Sequence, residues 1–387
     1  MEKTWRWFGH KDLVTLEMLR QIGVEGIVTA LHHIPNGEVW PEEEIMALKA
    51  EIESYGMRWS VVESLPVSEQ LKYAGPDRDS LIENYRTSLR NLGRCGIHTV
   101  CYNFMPVIDW VRTDLERKMP DGTFSLYFDY VRFAYFDMKI LQRAGAEKDF
   151  PAEIVEKVEA LDKTITQEEK RQLIDTIITK TQGFINGPLG DGSGGPVEKF
   201  KALMSHYDAM TKDDLRANLK YFLEAIMPVC DEYGMNMCIH PDDPPMPVFG
   251  MPRLCCTADD IRWILSSVDN FHNGLTFCAG SLSAGAGNDV TAMAREFAPR
   301  THFVHLRSCN ILPGGDFVEA PHVGGKLNLV DLVRIFEAEG RNLPFRVDHG
   351  KTMLGDEKLA YNPGYSFHGR MMALGQVEGM LAAVRSL

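Results

Sequence analysis

The run "FRVDHG" (345–350) ends with Asp348 and His349 side by side. Successive side chains on a strand point to opposite faces, so a buried strand has little use for an acid next to an imidazole. The pair makes sense where a strand leaves its sheet, one residue holding an ion and the next moving a proton. Three other short apolar runs carry metal-capable residues at their ends: "MNMCIHP" (235–241) with His240, "LTFCAGS" (275–281) with Cys278 and "HFVHLRS" (302–308) with His305. A lone histidine at a strand end usually satisfies a hydrogen bond, and a lone buried cysteine behaves as a small hydrophobe. Four such residues at equivalent places on four successive strands point instead to one shared ion, bound by His240, Cys278, His305 and Asp348, with His349 as a catalytic group beside it. Their wide separation argues against a compact zinc knuckle. Two imidazoles and a thiolate disfavour magnesium and calcium, and leave zinc, iron(II), cobalt and manganese open.

Other residues fall at the same strand ends. Arg307 and Ser308 follow His305, and arginine is the natural clamp for a carboxylate. His32 and His33 close the second apolar run in "ALHHIP", Asn103 closes the fourth, and Arg6 lies within the first. "EAPHVGG" puts Glu319 and His322 in a long loop after the seventh strand. For Asn103, His32, His322 and Arg6, packing competes evenly with substrate contact. Tyr365, in the "NPGYS" turn, either reaches the pocket with its hydroxyl or caps a final helix.

The elements that position these residues follow a repeated rhythm of apolar run, polar loop and helical periodicity. "DLVTLEMLRQIG", "WPEEEIMALKAEIESYG" and "DSLIENYRTSLRNLGRCG" carry apolar residues at helical spacing. In the second, a proline opens the helix and three glutamates sit where its dipole favours them. Strands are expected at 4–9, 25–31, 58–64, 98–104, 235–241, 275–281, 302–308 and 345–350. Eight strands alternating with helices predict an α/β fold, a parallel (β/α)8 TIM barrel whose chemistry sits at the C-terminal strand ends. A doubly wound open sheet is the alternative, but the glycine-rich first turn it normally carries is missing.

The rhythm breaks over 110–200. There "FSLYFDYVRFAYFDMKILQRAG" and "PAEIVEKVEALDKTITQEEKRQLIDTIITKTQ" read as helices with no strand between them, followed by a flexible loop, "INGPLGDGSGGPVEKF". The glycines of that loop follow a helix, which argues against a phosphate-binding turn. The expectation is a single barrel domain over 1–387 with a helical insertion after strand four, at 110–200, serving as a lid or an oligomer contact.

Hydrophobic residues at 44% and charged residues at 25% allow a large core and argue against disorder. The net charge of −13 disfavours broad nucleic-acid binding. No run approaches the roughly 18–20 apolar residues of a membrane span, and the N-terminus does not read as a secretion signal. Eight scattered cysteines without a CxxC pair suit a reducing compartment. A cytoplasmic homo-oligomer acting on a small molecule is expected, without nucleic-acid or membrane partners.

"WRWFG", "GIVTALHHIPNGEVW", "VVESLPVSE", "CIHPDDPP", "FCAGS", "FVHLRS", "VDHG" and "NPGYS", in this order, resemble the bacterial mannonate dehydratases over effectively the whole chain. The resemblance implies a xylose-isomerase-like barrel and loss of water from D-mannonate to give 2-dehydro-3-deoxy-D-gluconate, in hexuronate degradation. It also implies manganese(II) or iron(II), with His240, Cys278, His305 and Asp348 as ligands and His349 and Tyr365 as the acid–base pair. On this reading Arg307 holds the substrate carboxylate, with Ser308, Asn103, His32 and His322 as further substrate contacts. The rival readings are a metal-dependent sugar isomerase or epimerase on the same barrel, and a non-catalytic sugar-acid-binding protein.

Overall fold

The computed structural model describes residues 1–182 and 195–386. Its strands begin with β1 (Glu2–Arg6), β2 (Gly26–Thr29), β3 (Arg58–Glu63), β4 (Thr99–Tyr102), β5 (Asp114–Lys118) and β6 (Phe124–Phe128). They continue with β7 (Asn236–Ile239), β8 (Asn273–Cys278), β9 (Thr301–Leu306), β10 (Ser308–Ile311), β11 (Phe317–Ala320) and β12 (Pro344–Val347). Eight of these close into a barrel in the order β1-β12-β9-β8-β7-β4-β3-β2, every neighbouring pair parallel. Because β1 pairs with both β2 and β12, the barrel has no free edge.

Burial on both faces explains the apolar runs. All six residues of β8 and of β9 are buried, as expected of strands covered outside by helices and inside by one another. Val28, Val61, Cys101 and Phe303 meet in the barrel interior. The larger core lies between the strands and the outer helices, and includes Trp5, Ile27, Phe277 and Phe345 against Leu219, Phe336 and Leu374. The helix Lys212–Tyr233 shows how local chemistry feeds the barrel. Thr211 and Asp214 cap its start reciprocally, and Gly234, at φ 62°, ends it two residues before β7 begins.

Two expectations change. The first ladder covers Glu2–Arg6 rather than 4–9, so Arg6 is the last residue of β1 and stands at the rim. "FSLYF" is not helical: it is β6, which pairs antiparallel with β5 and β11. The helix that follows starts only at Tyr130, where Asp129 accepts the Arg132 N–H at 2.9 Å. With β10 these strands form a second, four-stranded sheet in the order β10-β11-β6-β5. Glu319 therefore sits on a strand, not in an open loop. The helices Ala152–Asp162, Gln167–Ile174 and Pro196–Met204 pack on a separate aromatic core in which Phe133 stacks on Phe249 at 4.7 Å. The glycine-rich part of "INGPLGDGSGGPVEKF" lies outside the described residues, and its last five residues open the Pro196 helix. No helix among the described residues is long and apolar enough to cross a membrane.

Candidate metal centre and active site

Cys278 ends β8, His305 is next to last in β9, and His240 and Asp348 stand one residue beyond β7 and β12. Parallel register sets Cys278 beside His305. Candidate ligand atoms of His240, Cys278 and His305 all lie within 4.8 Å of one another. Asp348 adjoins this group, with Oδ2 3.8 Å from the Cys278 sulfur and 3.8 Å from His305 Nδ1. The structure thus brings three of the four candidates into one cluster and puts the carboxylate at its edge.

The donor set fits a borderline cation. His240 Nδ1 donates to the Pro241 carbonyl at 2.7 Å, an outer hydrogen bond of the kind that orients a ligating imidazole. Burial would lower the His240 pKa, but Cys278, Asp109 and Glu63 push it up to about 9, so positive charge is favoured at this spot. Burial and the Arg346 charge hold His305 well below the usual range, hence neutral, the form that binds metal. Its Nε2 faces Arg346 Nε at 3.1 Å, while Nδ1 is buried with no hydrogen-bond partner.

A network of buried arginines frames the cluster. Arg307 Nε donates to Asp348 at 2.7 Å, Nη1 to both oxygens of Glu319 at 2.8 and 3.0 Å, and Nη2 to Asp243 and to Ser281 Oγ. All its N–H groups therefore have acceptors within the protein, while the side chain also lines the cavity where a substrate carboxylate was expected to meet it. Gly280 makes room for this side chain, since a Cβ there would lie 2.2 Å from Arg307 Cγ. Arg346 donates to Glu63, at 3.1 and 3.0 Å, to His305 and to Asp348. Arg112 joins Asp243 at 2.7 Å to Glu319 at 2.6 Å. Burial alone would raise the Asp348 pKa, but Arg346, His349 and Arg307 hold it well below the usual carboxylate range.

His349 is fixed by the same network. Its Nδ1 lies 3.0 Å from Glu319 Oε1. Against the effect of burial, Arg307, Arg112 and His349 bring the Glu319 pKa down to about 2. A carboxylate can only accept, so Nδ1 carries a hydrogen, and in the neutral imidazole the lone pair is then on Nε2. Tyr365 meets the imidazole edge-on at 5.3 Å, and its hydroxyl is 3.4 Å from Asp348 Oδ1. Burial and Asp348 raise its pKa, so the phenol keeps its proton. The turn bearing Tyr365 depends on Gly364, at φ 82°, whose carbonyl accepts the Gly350 N–H at 2.9 Å.

These groups open on a cavity of about 560 Å³, lined by His240, Arg307, Arg346, Asp348, His349 and Tyr365 among others. Asn103 and His32 also line it. Asn103 Nδ2 donates to Asp109 at 3.0 Å. His32 is exposed at the mouth, and crowding by protein together with Arg6 depresses its pKa. Ser308 and His322 do not line the cavity. Ser308 Oγ accepts the Leu327 N–H at 3.2 Å, and His322 Nε2 donates to the Leu306 carbonyl at 2.8 Å. Both are buried, and these hydrogen bonds are where the structure places the two residues expected to touch substrate. Sequence reasoning passed over Asp109, which lines the cavity with a pKa raised by burial to about 6. It also gave no role to Glu319, Arg346 or Asp243. The only signals for these were a charged residue inside an apolar run, in "PFRV", and an acid after His240 in "HPDD".

A family model described as D-mannonate dehydratase (UxuA) matches residues 1–387. The mannonate dehydratase of Marinomonas sp. (strain MWYL1) is 43% identical over 396 residues, with 100% of both chains covered. That of Chromohalobacter salexigens is 42% identical with the same coverage. The crystal structure of mannonate dehydratase from Streptococcus suis serotype 2 aligns with a TM-score of 0.79 at 34% identity, covering 100% of this chain and 95% of that one.

Proposed function

The chain belongs to the D-mannonate dehydratase family, and on that premise we propose that one divalent cation, held by His240, Cys278, His305 and Asp348, serves the loss of water from D-mannonate to 2-dehydro-3-deoxy-D-gluconate. The observation that carries the reading is the cluster of half-buried His240 with buried Cys278 and His305, its ligand atoms within 4.8 Å, adjoining Asp348, His349 and Tyr365, which line the same cavity as His240. Manganese(II) or iron(II) suits this mixture of imidazole, thiolate and carboxylate. When bound, the cation supplies positive charge against the electron density that gathers on substrate oxygens as a proton leaves carbon.

The chain's own residues do the proton work. His349, with Nδ1 tied to Glu319, offers Nε2 to the C2 proton. Tyr365, kept protonated by burial, donates its phenolic hydrogen to the departing 3-hydroxyl. Glu319 is a positioning residue that sets the tautomer of His349 and stabilises the imidazolium formed. Trp110, 5.2 Å from His349, covers the imidazole with an apolar ring. We read residues 110–200 as an insertion within a single barrel domain, and the protein as a cytoplasmic homo-oligomer. Eight free, buried cysteines suit that compartment.

The test is incubation of metal-reconstituted protein with D-mannonate, followed by mass. A product lighter by one water, reacting as an α-keto acid, is expected. Chelation should abolish its formation, and manganese(II) or iron(II) should restore it. A product of unchanged mass would favour an isomerase or epimerase. Full turnover after exhaustive chelation would remove the ion from the account.

A further inference from the structure

The cavity holds five basic side chains, Arg6, Lys11, Lys72, Arg307 and Arg346. Substrate of this family carries a carboxylate, and that charge needs a donor with hydrogen atoms to spare. Arg307 has none, and Arg346 is engaged with Glu63, His305 and Asp348 and, unlike Arg6, has no nitrogen left without a partner. Lys72 Nζ is held by Glu69 at 2.6 Å and by the Met105 carbonyl at 2.8 Å. Lys11 is exposed to solvent, where an ammonium gives little discrimination.

Arg6 is different. It ends β1 at the C-terminal rim, is 6% exposed, and lines the cavity. Its Nη1 is buried with no hydrogen-bond partner. The nearest carboxylate, Glu63 Oε2, stands at 3.7 Å, beyond hydrogen-bond reach, and is already claimed by Arg346 at 3.1 Å. The guanidinium rests over the Phe8 ring at 5.0 Å, and Phe8 in turn meets Tyr365 edge-on at 5.0 Å. A buried guanidinium with an unsatisfied N–H is costly to the fold unless something else accepts from it. An anionic ligand supplies that acceptor, and arginine offers a planar fork that matches a carboxylate.

We propose that Arg6, rather than Arg307, receives the carboxylate of the sugar acid and gives the cavity its selectivity for acids over uncharged polyhydroxy ligands. The proposal rests on the reading of this cavity as the D-mannonate site. Phe8 is the strut that joins the two ends of the ligand: it packs beneath the guanidinium and against Tyr365, so the carboxylate end and the leaving-group end are set by one ring.

The test compares D-mannonate as substrate with D-mannonamide, the same carbon chain without the charge, as inhibitor. Arg6→Met in metal-loaded protein should raise KM for D-mannonate by about 10- to 100-fold, with a smaller fall in kcat. The inhibition constant of D-mannonamide should stay within about threefold of its original value. Arg6→Lys, which keeps the charge and loses the fork, should fall between the two. A folded Arg6→Met protein with unchanged KM would overturn the proposal, as would an equal loss of affinity for acid and amide. If Arg6→Met does not fold, Arg6→Gln carries the same two outcomes. Wild-type protein that neither turns over D-mannonate nor is inhibited by the amide would refute the cavity reading itself, a result distinct from a failure of Arg6 alone.

Discussion

Replacing His349 by asparagine is expected to lower kcat for D-mannonate by about 10²- to 10⁴-fold while leaving metal content and the thermal midpoint in place. The carboxamide keeps an N–H for Glu319, which now accepts from Nδ1 at 3.0 Å, so the buried carboxylate retains its partner. What disappears is the lone pair on Nε2. No neighbour replaces it: Asp348 is pinned by Arg346 and Arg307, and Glu319 by Arg307 and Arg112. Steady-state kinetics with metal analysis on the same sample separates the outcomes. Near-normal turnover would take His349 out of the chemistry, and loss of the ion would make it a supporting residue of the metal centre.

The second large effect is on the fold. Arg307→Met removes the cation shared by Asp348, Glu319 and Asp243. Arg112 and Arg346 then remain to serve those three carboxylates and Glu63. Stripping one partner from a buried ion network typically costs about 3–5 kcal/mol, because the other charge stays desolvated and unpaired. For a chain of this length that corresponds to a thermal midpoint lower by roughly 5 °C. Metal affinity should fall with it, since Asp348 loses one of the two arginines that orient it. An unchanged midpoint would mean that water or a shifted carboxylate proton replaces the guanidinium.

These two residues also mark how far a sequence can be read. The ends of the late strands are legible because a parallel barrel buries its strands on both faces, so a histidine, cysteine or aspartate closing an apolar run stands out. The cluster of His240, Cys278 and His305 follows from register once the strands are placed. Arg307 was visible as a basic residue at the rim, but its function was not. Its partners come from the loop after β7, from β11 and from the end of β12, and only the folded chain brings those carboxylates together. β6 was hidden for a related reason. "FSLYFDYVRFAYF" is aromatic at both periods of two and near four, and the strand pairing that decides the matter is with β11, about 190 residues later. Arg6 was placed inside its strand because the apolar run was read two residues late. The correct ladder, Thr4–Arg6 beside Gly26–Val28, moves it to the rim where a ligand arrives.

A buried cysteine, two histidines and an aspartate sharing one ion is the claim on which the chemistry depends. Crystals of the protein loaded with manganese(II), measured at an energy where that element scatters anomalously, test it directly. The account predicts one strong peak bonded to the sulfur of Cys278 and to ring nitrogens of His240 and His305, with an oxygen of Asp348 completing the protein ligands. A peak elsewhere on the barrel, or no peak among these side chains in fully loaded protein, would contradict it.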